Sequence, residues 1–278
     1  MRASFVPTAF ALLIVGALVS ADVAEAQRKT VRVDQGAVAR WTGDANSCGM
    51  DGKTYQAVAG DCWYPIDFAR TPGTIEIARW TASGMETAWL VIQERERETQ
   101  DINFPKEEFV HLSEDNLARL YREQAEIKPL FRRIDGPPRF TLPLGPPADP
   151  LPEGKYFAVH RTFNGAPKSR HTGIDYAIGL DNPVLSVADG TVILTGEHFF
   201  AGTSVYVSHG NGMVSMYFHL NEIKVEVGQE VKKGDTVGLI GSTGRSTGPH
   251  LHLGIRWLNA RVDPHQLMSD PSQAPTVE

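Results

Sequence analysis

Basic residues are in deficit in this chain: 27 Lys and Arg stand against 33 Asp and Glu, for a formal net charge of −6 over 278 residues. A protein that neutralises nucleic-acid phosphates carries a basic stripe, so this balance argues against a nucleic-acid partner and excludes little else. Cysteine is scarcer, with Cys48 and Cys62 as the whole complement. Two cysteines cannot build a disulfide-dense scaffold, and a thiolate metal site there would need histidines or further cysteines that the neighbourhood lacks. The expectation is a Cys48–Cys62 disulfide formed in an oxidising compartment. Long apolar runs are missing too. The one candidate, residues 10–19, is too short for a comfortable membrane span. With Arg2 before it and Ala24-Glu25-Ala26 after it, it reads as a secretory signal covering residues 1–26. Its removal takes away Arg2, Asp22 and Glu25, leaving 26 basic and 31 acidic residues, net −5. The mature chain is therefore expected to be exported, periplasmic or extracellular, with no membrane span.

What is present is β-pattern. Stretches 37–41, 74–80 and 88–92 alternate or are β-branched and aromatic, with turn signals at Asp51-Gly52, Pro72-Gly73 and Ser83-Gly84. They predict a small β-sandwich-like N-terminal domain over residues 27–110. Ser113, followed by Glu114 and Asp115 and then the stripe Leu117, Leu120, Tyr121, predicts one helix running to about Ile127. Residues 135–154 are dense in Pro and Gly, which forbids a helix and predicts an extended linker, so residues 111–154 form a helix and linker segment. From 155 on, stretches 183–188, 190–194, 204–209 and 213–219 alternate between glycine turns. They predict an antiparallel sheet or barrel-like domain over 155–268, with 269–278 as a flexible tail. The fold class is mainly β.

The residues that carry chemistry concentrate in that second part. His250 and His252 are two positions apart in an apolar stretch, so on a strand they share a face. Both could hold a metal, or one could ligate while the other moves protons. Upstream stand His171-Thr172-Gly173-Ile174-Asp175 and Tyr217-Phe218-His219-Leu220. His171, Asp175 and His252 offer two imidazoles and a carboxylate, a donor set suited to zinc with a position left for water. His219 and His250 suit proton transfer and stabilisation of an oxyanion near neutral pH.

The three motifs in this order, with the glycine-rich run 241–249 leading into His250, resemble the lysostaphin-type (LytM-like) zinc endopeptidases over roughly residues 155–268. The resemblance implies a zinc metallo-endopeptidase with one ion per chain, cutting peptide bonds of peptidoglycan stem or cross-bridge peptides. It implies His171, Asp175 and His252 as zinc ligands, His250 as general base and His219 as the group that stabilises the tetrahedral intermediate. Residues 35–104 resemble, more weakly, a β-domain that precedes the peptidase in some exported members and carries no catalytic residues. The alternative is a catalytically inactive member that binds or regulates cell-wall hydrolases. Residues 225–238 also resemble half of a biotinyl or lipoyl carrier, but Lys232-Lys233 precede a turn rather than occupying an exposed hairpin tip. Of the other histidines, His111 reads as solvated, His160 as near the first motif, His198 as part of a packed loop, His209 as structural and His265 as a cap. Arg161 and Asn164 are groove candidates left outside the site.

Overall fold

The computed structural model describes residues 29–278, and the expected signal peptide lies outside them. The fold is mainly β. Strands Thr30–Asp34, Gly84–Gln93, Gly73–Thr81, Ala45–Met50 and Lys53–Gln56 lie side by side in that order. The predicted alternation sets one face of this sheet inward. Ala88, Leu90 and Ile92 are buried on one strand, and Ile77, directly opposite Ala88, is buried on the next. Cys48 of this sheet is disulfide-bonded to Cys62 on the strand Cys62–Pro65, their Cα atoms 5.5 Å apart.

The second large sheet runs through Glu230–Val231, Gly190–His198, Gly202–Ser208, Met213–Ile223, Leu251–Trp257, Ile174–Tyr176 and Gly154–Lys155, all antiparallel. Its inner strand Leu251–Trp257 is buried along nearly its whole length, which is why it reads as an apolar run interrupted only by His252 and Arg256. A third, smaller sheet lays Thr99–Ile102 parallel to His160–Phe163, which in turn pairs with Ala166–Arg170. Through it the first part of the chain reaches the edge of the second.

One buried apolar cluster extends from Val33 to Val277 and includes Trp41, Phe68, Tyr176 and Trp257. Residues 135–154 carry no helix and pack along the second sheet. Phe140 and Leu144 are buried, and the Gly145 N–H donates to the Val187 carbonyl at 2.7 Å. The helix spans Glu114–Leu130, capped by Ser113, whose hydroxyl accepts from the Asn116 N–H at 3.2 Å. Residues 269–278 are not a flexible tail. Thr276–Val277 forms a short strand parallel to Val38–Trp41, and Val277 is buried in the common core. Two residues are too few to show a period, and the apolar partner is more than 230 positions away in sequence. No helix among the described residues is long and apolar enough to cross a membrane.

Candidate metal centre and catalytic site

Strand register brings the first two groups together. Ile174–Tyr176 runs antiparallel to Leu251–Trp257, with Asp175 directly opposite His252, so carboxylate and imidazole leave the sheet on the same face. His171 precedes that strand, held by its own N–H on the Val159 carbonyl at 2.9 Å. Gly173 between them has no room for a side chain. A Cβ there would stand 2.3 Å from the Leu253 carbonyl and 2.7 Å from His252 Nε2. The glycine of the first motif therefore lets the His252 ring lie against the backbone.

The result is a compact triangle. His171 Nε2 is 2.8 Å from His252 Nδ1, and each nitrogen is 3.0 Å from Asp175 Oδ1. His171 Nδ1 sits 2.8 Å from the Tyr156 carbonyl, which only accepts, so Nδ1 carries the proton and Nε2 presents a lone pair. Three donor atoms thus face one another with at most one proton, on His252 Nδ1, to share among them, an arrangement that a bound cation would satisfy. Burial alone would raise the pKa of Asp175, but hydrogen bonds with His171 and His252, and the charge those rings carry once protonated at low pH, hold its carboxyl far below the usual carboxylate range. Burial pushes His252 down to about 4, so it is neutral and able to ligate near pH 7.

His219 and His250 stand beside the triangle, their ring centroids 4.7 Å apart. His219 Nδ1 donates to the Thr243 carbonyl and His250 Nδ1 to the Gly248 carbonyl, both at 2.8 Å. Each therefore turns its Nε2 the other way; His250 Nε2 lies 3.8 Å from Asp175 Oδ1. Burial, with the neighbouring His250 and His252 adding to it, pushes His219 down to about 3. His219 also bends the backbone, with φ at +64°, in a strand otherwise extended. The residue before it, Phe218, pairs with His252 in register, and its ring stacks on the imidazole at 5.2 Å, 5° from parallel.

These five side chains line one cavity of about 850 Å³. The opposite wall comes from the first part of the chain: Gln100 and Ile102 on the parallel strand, and Leu120, Glu123 and Ile127 on the helix. Leu120 and Ile127 of that helix therefore face a cavity, while Leu117 and Tyr121 of the predicted stripe are exposed. His198 also lines the cavity, held through Nδ1 to the Ser204 hydroxyl at 2.7 Å. His209 is wholly buried between the Asp189 carbonyl at 2.8 Å and the Ser215 hydroxyl at 2.7 Å, a structural group away from the cavity.

Comparison with known proteins fits this geometry. The family described as Peptidase family M23 matches residues 169–264, which hold all five side chains. A crystal structure of a putative peptidase M23 from Pseudomonas aeruginosa is 30% identical, with a TM-score of 0.64, over 84% of this chain and 94% of that one.

The chain belongs to peptidase family M23.

Among curated members, the peptidoglycan DD-endopeptidase ShyA of Vibrio cholerae is 46% identical over 82 residues, 30% of this chain and 19% of that protein. The DD-carboxypeptidase/endopeptidase Mpg of Neisseria meningitidis is 43% identical over 94 residues, 34% of this chain and 22% of that protein. The matched stretch spans about a fifth of these relatives' length.

Two arginines gain a place at the site that spacing alone does not give, and the first, Arg161, is a groove candidate from the sequence. Arg161 Nη2 donates to Asp175 Oδ2 at 2.7 Å, and its Nε donates to Gln100 Oε1 at 3.0 Å. It ties the outer carboxylate oxygen to the wall supplied by the first part of the chain. The second is Arg245, in the loop before His250. Asn164, by contrast, faces away from the cavity. It is a left-handed turn residue whose side chain bonds both the N–H and the carbonyl of Phe104.

Proposed function

We propose that this M23 protein is a zinc-dependent endopeptidase that hydrolyses peptide bonds in peptidoglycan stem or cross-bridge peptides outside the cytoplasm. The observation that carries the reading is the 2.8–3.0 Å triangle of His171 Nε2, Asp175 Oδ1 and His252 Nδ1 at the wall of a cavity shared with His219 and His250. Two imidazoles and one carboxylate are a donor set that zinc accepts with a coordination position left over. When bound, zinc supplies Lewis-acid polarisation of a carbonyl and a water of lowered pKa.

The rest falls to the protein's own groups. His171 is oriented by the Tyr156 carbonyl and Asp175 by Arg161, outer contacts that fix ligand tautomer and direction. His250 Nε2 takes the proton of the attacking water, its Nδ1–H anchored on Gly248 so that the basic nitrogen faces the centre. His219 presents an unprotonated Nε2 as well, and burial keeps it neutral. It stabilises a developing oxyanion as a donor only with its proton carried on Nε2 in place of Nδ1, giving up the bond to the Thr243 carbonyl, because the proton of the attacking water goes to His250. The wall of Leu120, Ile127 and Phe218 excludes water from one side of the bound peptide.

The full ligand and base set is intact, which weighs against an inactive binding protein. The test is digestion of purified sacculi by the zinc-loaded protein, read by mass spectrometry. New peptide amino termini within stem or bridge are expected. Released disaccharides without new peptide ends, or no product from zinc-loaded protein, refute the reading.

A further inference from the structure

Arg245, on the cavity wall, takes no part in the steps described above. The guanidinium of Arg245 is stacked between Phe163 and Phe200, 4.3 Å from the centroid of each ring. Its backbone N–H is fixed on the Phe200 carbonyl at 3.0 Å. With both faces covered, what remains is the edge, where the N–H donors of a planar fork project. Stacking alone would explain an arginine that clips two rings together. It does not explain the absence of a counter-ion. Among the described residues no carboxylate pairs with Arg245, and the nearby charge that acts on it is another cation, Arg161.

The carboxylates that share the cavity are engaged elsewhere. Asp175 is held by Arg161, Glu123 accepts from the Phe199 N–H and from Arg119, and Glu153 pairs with Lys155. Burial first, and then Arg161, push the Arg245 pKa down to about 10, so the group stays charged near neutrality at an energetic cost. In a chain of net charge −6, an uncompensated, half-buried cation in the catalytic cavity marks a place where an anion arrives with the substrate.

We propose that Arg245 forms a carboxylate-binding subsite, its fork engaging a free carboxylate on a residue adjoining the bond that is cut. The inference rests on the endopeptidase reading and adds a substrate requirement to it. Proximity supports the placement next to the reacting bond. Arg245 lies between Thr243, whose carbonyl holds His219, and Ser246, whose hydroxyl is 3.2 Å from His250 Nδ1. The loop that positions both histidines therefore also positions the arginine. Gly244, with φ at +66°, lets that loop cross Gly202, where a Cβ would stand 2.4 Å from backbone nitrogen.

The experiment compares pairs of short synthetic peptides copied from a peptidoglycan cross-link. The members of a pair differ in carrying a free carboxylate or a carboxamide on the residue before, or the residue after, the cleavable bond. For zinc-loaded full-length wild type, the acid-to-amide ratio of kcat/KM is expected to be about tenfold or more for one of the two placements. In Arg245→Gln the ratio falls to about 1, and in Arg245→Lys it is intermediate, because charge is kept and the fork is lost. The ratio is internal to each variant, so partial loss of folded protein does not distort it. A wild-type ratio near 1 for both placements, or an unchanged ratio in Arg245→Gln, overturns the subsite. If zinc-loaded wild type cleaves none of the peptides, the endopeptidase reading fails instead. Calorimetric binding of the acid and amide forms then decides the subsite, equal affinities overturning it.

Discussion

Replacing Arg161 by methionine keeps most of the aliphatic stem and removes the donors to Asp175 and Gln100. The ion pair is well shielded, with the two side chains 13% and 14% exposed, so the discount that applies to surface pairs is small. Breaking a buried pair from one side costs about 3–5 kcal/mol, because the remaining charge is stranded. Here Asp175 keeps His171 and His252 against its other oxygen, which places the metal-free protein near the lower end, about 3 kcal/mol. With the cation bound the stranded charge is compensated, and what remains is loss of carboxylate orientation. Outer contacts of this kind are worth about 10–100-fold in metal affinity. The assays are a zinc competition titration against a chromogenic chelator at neutral pH and urea unfolding of the metal-free protein. We expect Arg161→Met to weaken zinc binding within that range and Arg161→Lys to recover only part of it, since one ammonium cannot reproduce a fork that reaches Asp175 and Gln100 together. A zinc affinity within about threefold of wild type would refute the orientation argument.

The division of labour between the paired histidines is equally open to test. His252→Ala should lose both zinc and cleavage, whereas His250→Ala should retain near-stoichiometric zinc by elemental analysis while losing about 10²–10⁴-fold in rate; equal loss of metal in both would contradict the assignment. Replacing Cys48 and Cys62 by serine removes a cross-link spanning 14 positions. It should lower stability by about 3 kcal/mol in the chain-entropy picture, read as a fall in Tm of several degrees. His209 supplies a pH signature: burial pushes its pKa to about 4 from an ordinary 6.5, so its neutral form is favoured in the folded state. The unfolded chain binds the proton first, so this contribution is complete above pH 6.5 and is lost as pH falls from there to 4, about 3 kcal/mol in all. Denaturant unfolding across that window should show a steeper decline in wild type than in His209→Gln, and parallel curves would contradict it.

Much of the site was legible because its geometry is local or strand-periodic. His250 and His252 fall on one face by a period of two, and the donor set of His171, Asp175 and His252 is chemically suggestive before any coordinates. The strands around Ile77 and Leu90, the Ser113 cap and the Cys48–Cys62 bond follow from alternation, capping chemistry and a lack of other thiols. What stayed hidden depends on long-range apposition. The helix stripe at Leu120 and Ile127 looks the same whether it covers a core or a cavity, and Thr276–Val277 is too short for any periodicity. Arg161 meets Asp175 only because the strand His160–Phe163 lies against Thr99–Ile102, which also delivers Gln100. Arg245 looked like part of a glycine-rich lead-in, since nothing in its neighbours' identities reveals that two distant phenylalanines enclose it.

The left-handed backbone at His219 has a bearing on how variant libraries of this protein are read. Any residue other than glycine, asparagine or aspartate pays about 1–2 kcal/mol to hold that conformation. A scan at position 219 therefore applies two filters at once, one for an imidazole and one for a tolerated φ. Alanine fails both and would exaggerate the chemical role. Glycine fails only the first, and the gap between His219→Gly and His219→Ala in folded yield isolates the second.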